Sequence, residues 1–238
     1  MVKLLLLCGD TNRARSYASV LKKSTECNII GLLYGIEQKK EVKETIIIDL
    51  KTKKYLKSIE VEVPELNKDI ESIFKDNQWG YSLFKEKNVN DLEIINKIKS
   101  MDCDFVVFAG YGGQILSKEH FIQGKKYVHC HPGWLPLERG STTLYYSLLN
   151  NRKLSVTSFF MTEKIDEGNM LLRESYISPK KLVNVDVWID NALRADTLIK
   201  SIDLLNKSYK GFTRSKDEEN QEYYVIHPLL KHISLLSM

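Results

Sequence analysis

Runs of apolar residues alternate, in the first part of the chain, with stretches in which apolar residues recur every three or four positions. Residues 4–7 are four consecutive leucines, a continuous apolar run that is typical of a strand buried on both faces. The apolar residues between positions 17 and 21 then fall at helical spacing, and residues 28–34 have the composition of a second buried strand. This order predicts the βαβ unit that opens a doubly wound sheet.

The same two patterns predict further elements along the chain. The predicted helices cover residues 90–98, 141–149 and 186–206, and the predicted strands cover residues 105–109, 127–130 and 156–161. Residues 37–63 are rich in Lys and Glu, and their two alternating patches at 45–49 and 59–63 predict a hairpin or an irregular excursion. We therefore predict an α/β fold, a Rossmann-like and mostly parallel sheet flanked by helices, with a short C-terminal appendage of helix and strand. A core at residues 1–178 would carry a C-terminal extension, residues 179–238, packed against it.

Composition and charge place the chain among soluble globular proteins. Its 238 residues are 43% hydrophobic and carry a formal net charge of +4. Basic residues form only short clusters, so we expect no nucleic-acid partner. The N-terminal apolar run is too short for a signal peptide or a membrane span, so we expect no membrane partner, and the four cysteines include no CxxC pair. Both features predict a cytoplasmic protein with reduced cysteines.

Two histidines lie close together where a predicted strand ends. If the strand continues through His129, Cys130 and His131, its alternation places both imidazoles on one face and the thiol on the other. Pro132 and Gly133 then end the strand at its carboxyl end, where ligands bind in open α/β sheets. This alternation argues against a zinc site, because the thiol points away from the imidazoles. Two structural histidines remain an alternative.

An aspartate follows the next predicted strand. Asp166 belongs to the sequence Ile165-Asp166-Glu167-Gly168, so its carboxylate should emerge at the same end of the sheet as His131. A lone Asp-x-Gly is usually a turn. Beside an imidazole, however, a carboxylate orients the ring and can relay a proton when an amine attacks a carbonyl.

A glycine-containing loop follows the predicted strand 105–109. Glycines within residues 110–116 allow the backbone to approach a flat ligand, and exposed N–H and C=O groups could bind the edge of a heterocycle. The loop lacks the GxGxxG order and a Walker lysine, which excludes a dinucleotide site and a P-loop. A simple connection between strand and helix is the alternative.

Together the three motifs resemble those of the folate-dependent formyltransferases, which include glycinamide ribonucleotide transformylases, methionyl-tRNA formyltransferases and sugar N-formyltransferases. The resemblance runs from residue 4 to about residue 177. His131 and Asp166 match two members of the family's catalytic group, whereas His129 stands where the family has an asparagine that is thought to hydrogen-bond the formyl oxygen. A ring N–H can donate the same hydrogen bond, so the resemblance implies catalytic roles for His129, His131 and Asp166. Phe159 replaces a histidine that many members carry, and we expect it to pack in the core.

The resemblance also implies N10-formyltetrahydrofolate as the formyl donor and no metal ion. The residues that it assigns to the donor are Tyr111, Gly112, Gly113, Gln114, Ile115, Leu116, Met161, Thr162, Glu163 and Lys164, and those that it assigns to the acceptor are Gly9, Asp10, Asn12, Arg13 and Tyr81. A homodimer formed through the C-terminal elements is a further expectation by analogy.

The C-terminal residues favour one class of acceptor. Methionyl-tRNA formyltransferases carry a further C-terminal barrel, whereas only about sixty residues follow Ile177, so we expect no tRNA substrate. The aromatic ending, residues 222–228, is more similar to enzymes that formylate nucleotide-linked amino sugars, although it could equally form a final strand and helix. We predict such a sugar as the acceptor. A glycinamide ribonucleotide transformylase and a non-catalytic folate- or nucleotide-binding module are the alternatives.

Overall fold

The chain folds into two compact units. The computed structural model of the protein describes residues 1–23, 27–36, 45–122, 124–180, 183–213 and 221–238. Unit 1 comprises Met1–Ile47 and Pro64–His129, and unit 2 comprises Ile48–Val63 and Cys130–Met238. The contacts therefore divide the chain between His129 and Cys130, and the boundary predicted near residue 178 stays a prediction.

Parallel strands dominate the fold. The strands are β1 Val2–Cys8, β2 Cys27–Tyr34, β3 Tyr81–Phe84, β4 Phe105–Ala109, β5 Lys126–Pro132, β6 Arg139–Gly140, β7 Lys153–Phe160, β8 Met170–Ile177 and β9 Glu222–Tyr223. Within the described ranges, seven of them follow one another in a sheet in the order β3-β2-β1-β4-β5-β7-β8. The pairs β1–β2, β1–β4, β2–β3 and β4–β5 are parallel, and β7–β8 is antiparallel. The predicted α/β class with a mostly parallel sheet is confirmed.

Helices connect the strands. They are α1 Asn12–Leu21, α2 Leu50–Ser58, α3 Ile70–Asp76, α4 Leu92–Ser100, α5 Lys118–Ile122, α6 Thr143–Asn151, α7 Asp190–Asn206 and α8 Pro228–Leu236, and a π-helical turn, Val185–Ile189, precedes α7. No helix in the described part of the chain is both long and apolar enough to cross a bilayer.

Burial in unit 1 follows the apolar runs. The leucines at positions 4–7 are all buried at the centre of the sheet, and β4 is buried from Val106 to Ala109. Helix α1 begins where Thr11 accepts a hydrogen bond from the Ala14 N–H, an N-cap that satisfies one of the free donors of the first turn. The predicted strand–helix–strand opening is confirmed.

Unit 2 is built on the antiparallel pair β7–β8. Helix α7 packs against both strands, and α6 packs against β7 and α8. Phe159 is buried in a cluster with Leu135 and Met170, as expected for a packing residue. Ser158 on β7 hydrogen-bonds Ser201 on α7, so the polar residues of this strand also find partners.

The prediction of a hairpin or an irregular excursion over residues 37–63 is wrong for the part from residue 45 onward. Those residues contain helix α2, whose N-cap Asp49 accepts a hydrogen bond from the Thr52 N–H. The lysines of α2 face solvent while Tyr55 and Leu56 are buried. Burial of this narrow apolar face stabilises the helix although most of its residues are polar. Residues 37–44 of the predicted excursion lie outside the described residues.

Candidate active site

The structure brings His131 and Asp166 together in unit 2. His131 lies near the end of β5, and Asp166 lies in the loop between β7 and β8. The ring Nδ1 is 3.4 Å from Asp166 Oδ1, and the two side chains are 3% and 12% exposed. The predicted proximity of these two groups is confirmed, and their catalytic roles stay predictions. Because the imidazole is covered and the carboxylate is partly open, solvent reaches the pair from the Asp166 side.

Neighbouring oxygens fix the orientation of the His131 ring. Nε2 lies 2.6 Å from the carbonyl oxygen of Glu138, and this oxygen can only accept, so Nε2 carries a proton. The Thr143 hydroxyl is 3.2 Å from the same nitrogen and donates to the carbonyl of Pro132. Nδ1 therefore faces the Asp166 carboxylate, and the ring donates to both neighbours only in its doubly protonated form.

Short contacts hold the Asp166 loop in place. Asp166 has a positive φ of 52°, a conformation in which Asp is tolerated better than most residues. Its Oδ2 accepts a hydrogen bond of 2.8 Å from the Gly140 N–H. Arg139 donates to the carbonyl of Ile165 at 2.6 Å and pairs with Glu167 at 3.2 Å. The two residues of β6 thus fix both the carboxylate and the backbone around it.

Glu138 is a buried carboxylate behind the pair, only 1% exposed. It accepts hydrogen bonds from the Trp134 N–H at 2.7 Å, from the Asn151 amide at 3.3 Å and from the Ser147 hydroxyl. Burial raises the pKa of this carboxyl, while the three donors and the nearby His131 act in the opposite direction. These bonds to the Glu138 carboxylate anchor the turn in which the Glu138 carbonyl accepts the hydrogen bond from His131 Nε2.

Residue types alone do not reveal the roles of Glu138, Gly140 and Thr143. Two of the groups that hold the pair, the Glu138 carbonyl and the Gly140 N–H, belong to the main chain, and such groups exist at almost every position. The signal that could have indicated these residues is their place shortly after the His131-Pro132 motif.

His129 lies at the end of unit 1 and is half-buried. Its Nδ1 is 3.3 Å from the carbonyl oxygen of Phe108, which can only accept. The neutral ring with its proton on Nδ1 presents a lone pair at Nε2, so His129 can donate from Nε2 only when it is doubly protonated. In the described ranges, no three His, Cys, Asp or Glu side chains are grouped so that they could hold a metal ion.

The loop after β4 is anchored by its own side chains. The Tyr111 hydroxyl donates to the carbonyl of Gly35 at 2.9 Å. The Gln114 amide accepts from the Tyr34 hydroxyl and donates to the carbonyl of Lys87, both at 2.5 Å. Tyr111 and Gln114 thus shape this predicted donor loop through contacts within unit 1.

The same loop leaves part of its backbone open. A Cβ atom added at Gly112 or Gly113 would meet nothing within 4 Å. The Ile115 side chain is 58% exposed, its carbonyl accepts from the Asn90 amide at 2.9 Å, and Leu116 is buried. An exposed apolar side chain beside an accessible glycine backbone is compatible with a flat ligand.

The second predicted donor segment, residues 161–164, lies in unit 2. Met161 packs against the cluster that contains Phe159. Thr162, Glu163 and Lys164 are exposed, and the Thr162 hydroxyl accepts from the Lys164 N–H at 3.3 Å. The loop is therefore ordered by its own hydrogen bonds and presents its side chains outward.

Two of the predicted acceptor residues have structural partners in unit 1. Asp10 receives two hydrogen bonds from the Arg15 guanidinium, at 2.7 and 2.8 Å, in a largely buried ion pair. A side chain at Gly9 would collide with the Tyr111 ring, so this glycine makes room for Tyr111.

The remaining predicted acceptor residues also lie in unit 1. Asn12 is the first residue of α1, and Arg13 donates to the Gly110 carbonyl at 2.5 Å. The Tyr81 hydroxyl, on the edge strand β3, donates to Glu71 at 3.0 Å. Their acceptor contacts stay predictions.

Comparisons with known proteins identify one family. The sequence pattern described as Formyl transferase matches residues 36–180, more than half of the chain. The methionyl-tRNA formyltransferase of Clostridium acetobutylicum is 35% identical over 123 residues, which cover 50% of this chain and 39% of that protein. The chain spans about half or less of the length of the curated relatives that it matches.

Solved structures share the fold over most of the chain. A sugar N-formyltransferase from Shewanella sp FDAARGOS_354 superposes with a TM-score of 0.60 at 18% identity, covering 99% of this chain and 87% of that one. Phosphoribosylglycinamide formyltransferase from Anaplasma phagocytophilum gives 0.61 at 14% identity, covering 94% and 98%. An N-formyltransferase from Helicobacter canadensis, in complex with folinic acid and dTDP-3-aminofucose, gives 0.56 at 15% identity, covering 94% and 71%.

The buried carboxyl of Glu138 predicts a pH-dependent stability. Because burial raises its pKa on folding, the folded state holds a proton at pH values where the unfolded state has lost it. Stability should therefore fall as pH rises above the unfolded carboxyl pKa of about 4.3. Glu138→Gln removes this titration, so wild type should lose stability relative to the variant between about pH 4.5 and pH 7.5, measured by urea unfolding.

The matched control is Glu86→Gln, which changes an exposed carboxylate in unit 1. Its difference from wild type should be the same at both pH values. An equally constant difference for Glu138→Gln would show that the buried carboxyl does not contribute this dependence.

Proposed function

Because the chain belongs to the formyl transferase family, we propose that it transfers a formyl group from N10-formyltetrahydrofolate to the amine of a nucleotide-linked amino sugar. The observation that carries this proposal is the His131–Asp166 pair, with Nδ1 and Oδ1 3.4 Å apart in a largely buried position. The pair supplies the proton-transfer groups that this chemistry requires.

The proposed reaction moves protons without net gain or loss. The bond between the formyl carbon and folate nitrogen N10 breaks, and a bond between that carbon and the acceptor nitrogen forms. The acceptor amine gives up one proton, and N10 receives one. The partly open Asp166 carboxylate takes the proton from the amine, directly or through water, and then returns it to N10 as the bond between N10 and the formyl carbon breaks, while His131 holds the compensating charge beside it.

The surroundings of His131 support this role. Its Nε2 is committed to the Glu138 carbonyl, so the ring cannot rotate without breaking a 2.6 Å hydrogen bond. The Nδ1–H of the charged ring then points at Asp166. A ring fixed in this way stabilises the carboxylate in one orientation, which is the form of preorganisation that proton transfer exploits.

We propose that each of the two loops, residues 110–116 and residues 161–164, contacts the folate that donates the formyl group. In unit 1, the open backbone at Gly112 and Gly113 and the exposed Ile115 side chain offer a surface for the pteridine. In unit 2, the exposed residues 162–164 offer polar contacts. The folinic acid bound in the Helicobacter canadensis N-formyltransferase supports a reduced folate as the donor.

The choice of acceptor is supported by the same comparison. That enzyme binds dTDP-3-aminofucose, and the Shewanella sugar N-formyltransferase matches 99% of this chain. Glycinamide ribonucleotide is a second candidate, because the Anaplasma enzyme is covered almost completely by this chain, at 98%. Methionyl-tRNA is a third candidate, because curated relatives such as the Clostridium enzyme are named methionyl-tRNA formyltransferases.

The acceptor can be identified by mass spectrometry. We expect the protein with N10-formyltetrahydrofolate to add about 28 Da, one CO group, to a nucleotide-linked amino sugar such as dTDP-3-aminofucose. Glycinamide ribonucleotide and methionyl-tRNA, offered in parallel, should stay unchanged. A gain on either of these instead would replace the acceptor, and folate binding without any gain would indicate a binding module.

Asp166→Asn should lower kcat by about 10²- to 10⁴-fold, the usual contribution of a proton-transfer group. Asn accepts the positive φ at this position and keeps an oxygen for the Gly140 N–H, so the fold should survive. Asp203→Asn, an exposed carboxylate on α7, is the matched control and should leave kcat unchanged. Full activity of Asp166→Asn would remove the proposed mechanism.

His129→Asn restores the residue that the family carries and tests the charge on His129. If the wild-type ring donates to the formyl oxygen only when doubly protonated, an amide at this position donates without that requirement. The kcat of His129→Asn should therefore equal or exceed that of wild type in steady-state kinetics at neutral pH. A kcat at least about tenfold below that of wild type would show that the imidazole itself is required.

A further inference from the structure

We propose that the tail segment, residues 221–226, is a positioning element for Asp166 and thereby for the His131–Asp166 pair. The catalytic part of this inference rests on the proposed function, and its structural part does not. The connection runs through β6, the two-residue strand Arg139–Gly140, which contacts the tail segment and the Asp166 loop.

The tail segment pairs with one edge of β6. Arg139 N–H donates to the carbonyl of Gln221 at 3.0 Å, and Ser141 N–H donates to the carbonyl of Tyr223 at 2.9 Å. Gln221 N–H donates in turn to the carbonyl of Pro136 at 3.3 Å. A strand of two residues has few internal contacts, so this pairing defines its direction.

The Asp166 loop binds the other edge of β6. Successive N–H groups of a strand point to opposite edges, so the Gly140 N–H faces away from the tail segment. It donates to Asp166 Oδ2 at 2.8 Å, and the Arg139 guanidinium donates to the Ile165 carbonyl at 2.6 Å. The orientation of the Gly140 N–H therefore follows from the pairing on the opposite side.

Gly140 fits the backbone conformation at this position, but it cannot hold its own peptide plane in place. Its φ is +99°, which favours glycine, and a Cβ atom there would overlap the Tyr223 carbonyl. A glycine has no side chain that could hold its peptide plane, and it rotates more freely than other residues. The tail segment supplies the missing restraint.

Side chains anchor the tail segment to α6. The Tyr223 ring stacks on Tyr146 with centroids 4.2 Å apart and planes inclined by 27°. The Tyr223 hydroxyl accepts from the Asn150 amide at 3.0 Å and donates to Gln221 Oε1 at 2.6 Å. Ile226 is buried, and its N–H donates to the Thr142 hydroxyl at 2.8 Å. Tyr223 is the central anchor and the residue to test.

The first test compares three variants in steady-state kinetics. Tyr223→Ala removes the stacking on Tyr146 and should lower kcat by about 10- to 100-fold, while the KM for the folate donor changes by less than about threefold. Tyr223→Phe keeps the ring and should restore kcat to within about threefold of wild type. Tyr224→Ala changes the neighbouring, 84% exposed tyrosine and should leave kcat unchanged. An unchanged kcat in Tyr223→Ala would overturn the proposal.

The second test uses NMR and does not depend on any activity. In wild type, Asp166→Asn should shift the amide resonance of Gly140, because the charged acceptor of its N–H is replaced. In the Tyr223→Ala background the same substitution should shift it by less than half as much, which makes a double-mutant cycle. Equal shifts in both backgrounds would overturn the positioning role.

The two tests separate the possible failures. If wild type formylates no acceptor but the Gly140 shifts are coupled to Tyr223, the proposed function fails and the positioning role stands. If Tyr223→Ala does not fold, Tyr223→Leu keeps apolar bulk without the aromatic stack, and the same two measurements and outcomes apply to it.

Discussion

The geometry of the candidate site depends on hydrogen bonds from main-chain atoms of one short segment, residues 138–140. The Glu138 carbonyl accepts from His131 Nε2, and the Gly140 N–H donates to Asp166 Oδ2. Main-chain groups have no rotamers of their own, so they fix the two side chains more rigidly than other side chains would. Displacement of this segment would move both groups of the pair at once.

The segment is held from two sides within unit 2. The Glu138 carboxylate is buried among three donors, which offset the cost of removing it from water and attach it to α6. The tail segment pairs with Arg139 and Ser141 through main-chain bonds. Residues remote from the pair in sequence are therefore required for its geometry, although none of them carries the chemistry.

The shared fold leaves the acceptor open, because the similar structures include enzymes named for a sugar and for phosphoribosylglycinamide. A fold positions a site, whereas the residues of the site select the substrate. His129 stands at the position where the resemblance described above implies an asparagine. Its bond to the Phe108 carbonyl ties any donor role at Nε2 to the charge of the ring.

The sequence by itself determined the five inner strands of the sheet, the α/β class and the meeting of His131 with Asp166, because uninterrupted apolar runs are local signals and the two residues follow such runs directly. It did not reveal α2, because the many lysines of this helix obscure the short apolar pattern formed by Tyr55 and Leu56. Only the tertiary structure decided what holds the pair. The restraints on Asp166 come from the Gly140 N–H and, beyond it, from the Tyr223 carbonyl, and hydrogen bonds made by main-chain groups distant in sequence leave no pattern of residue types.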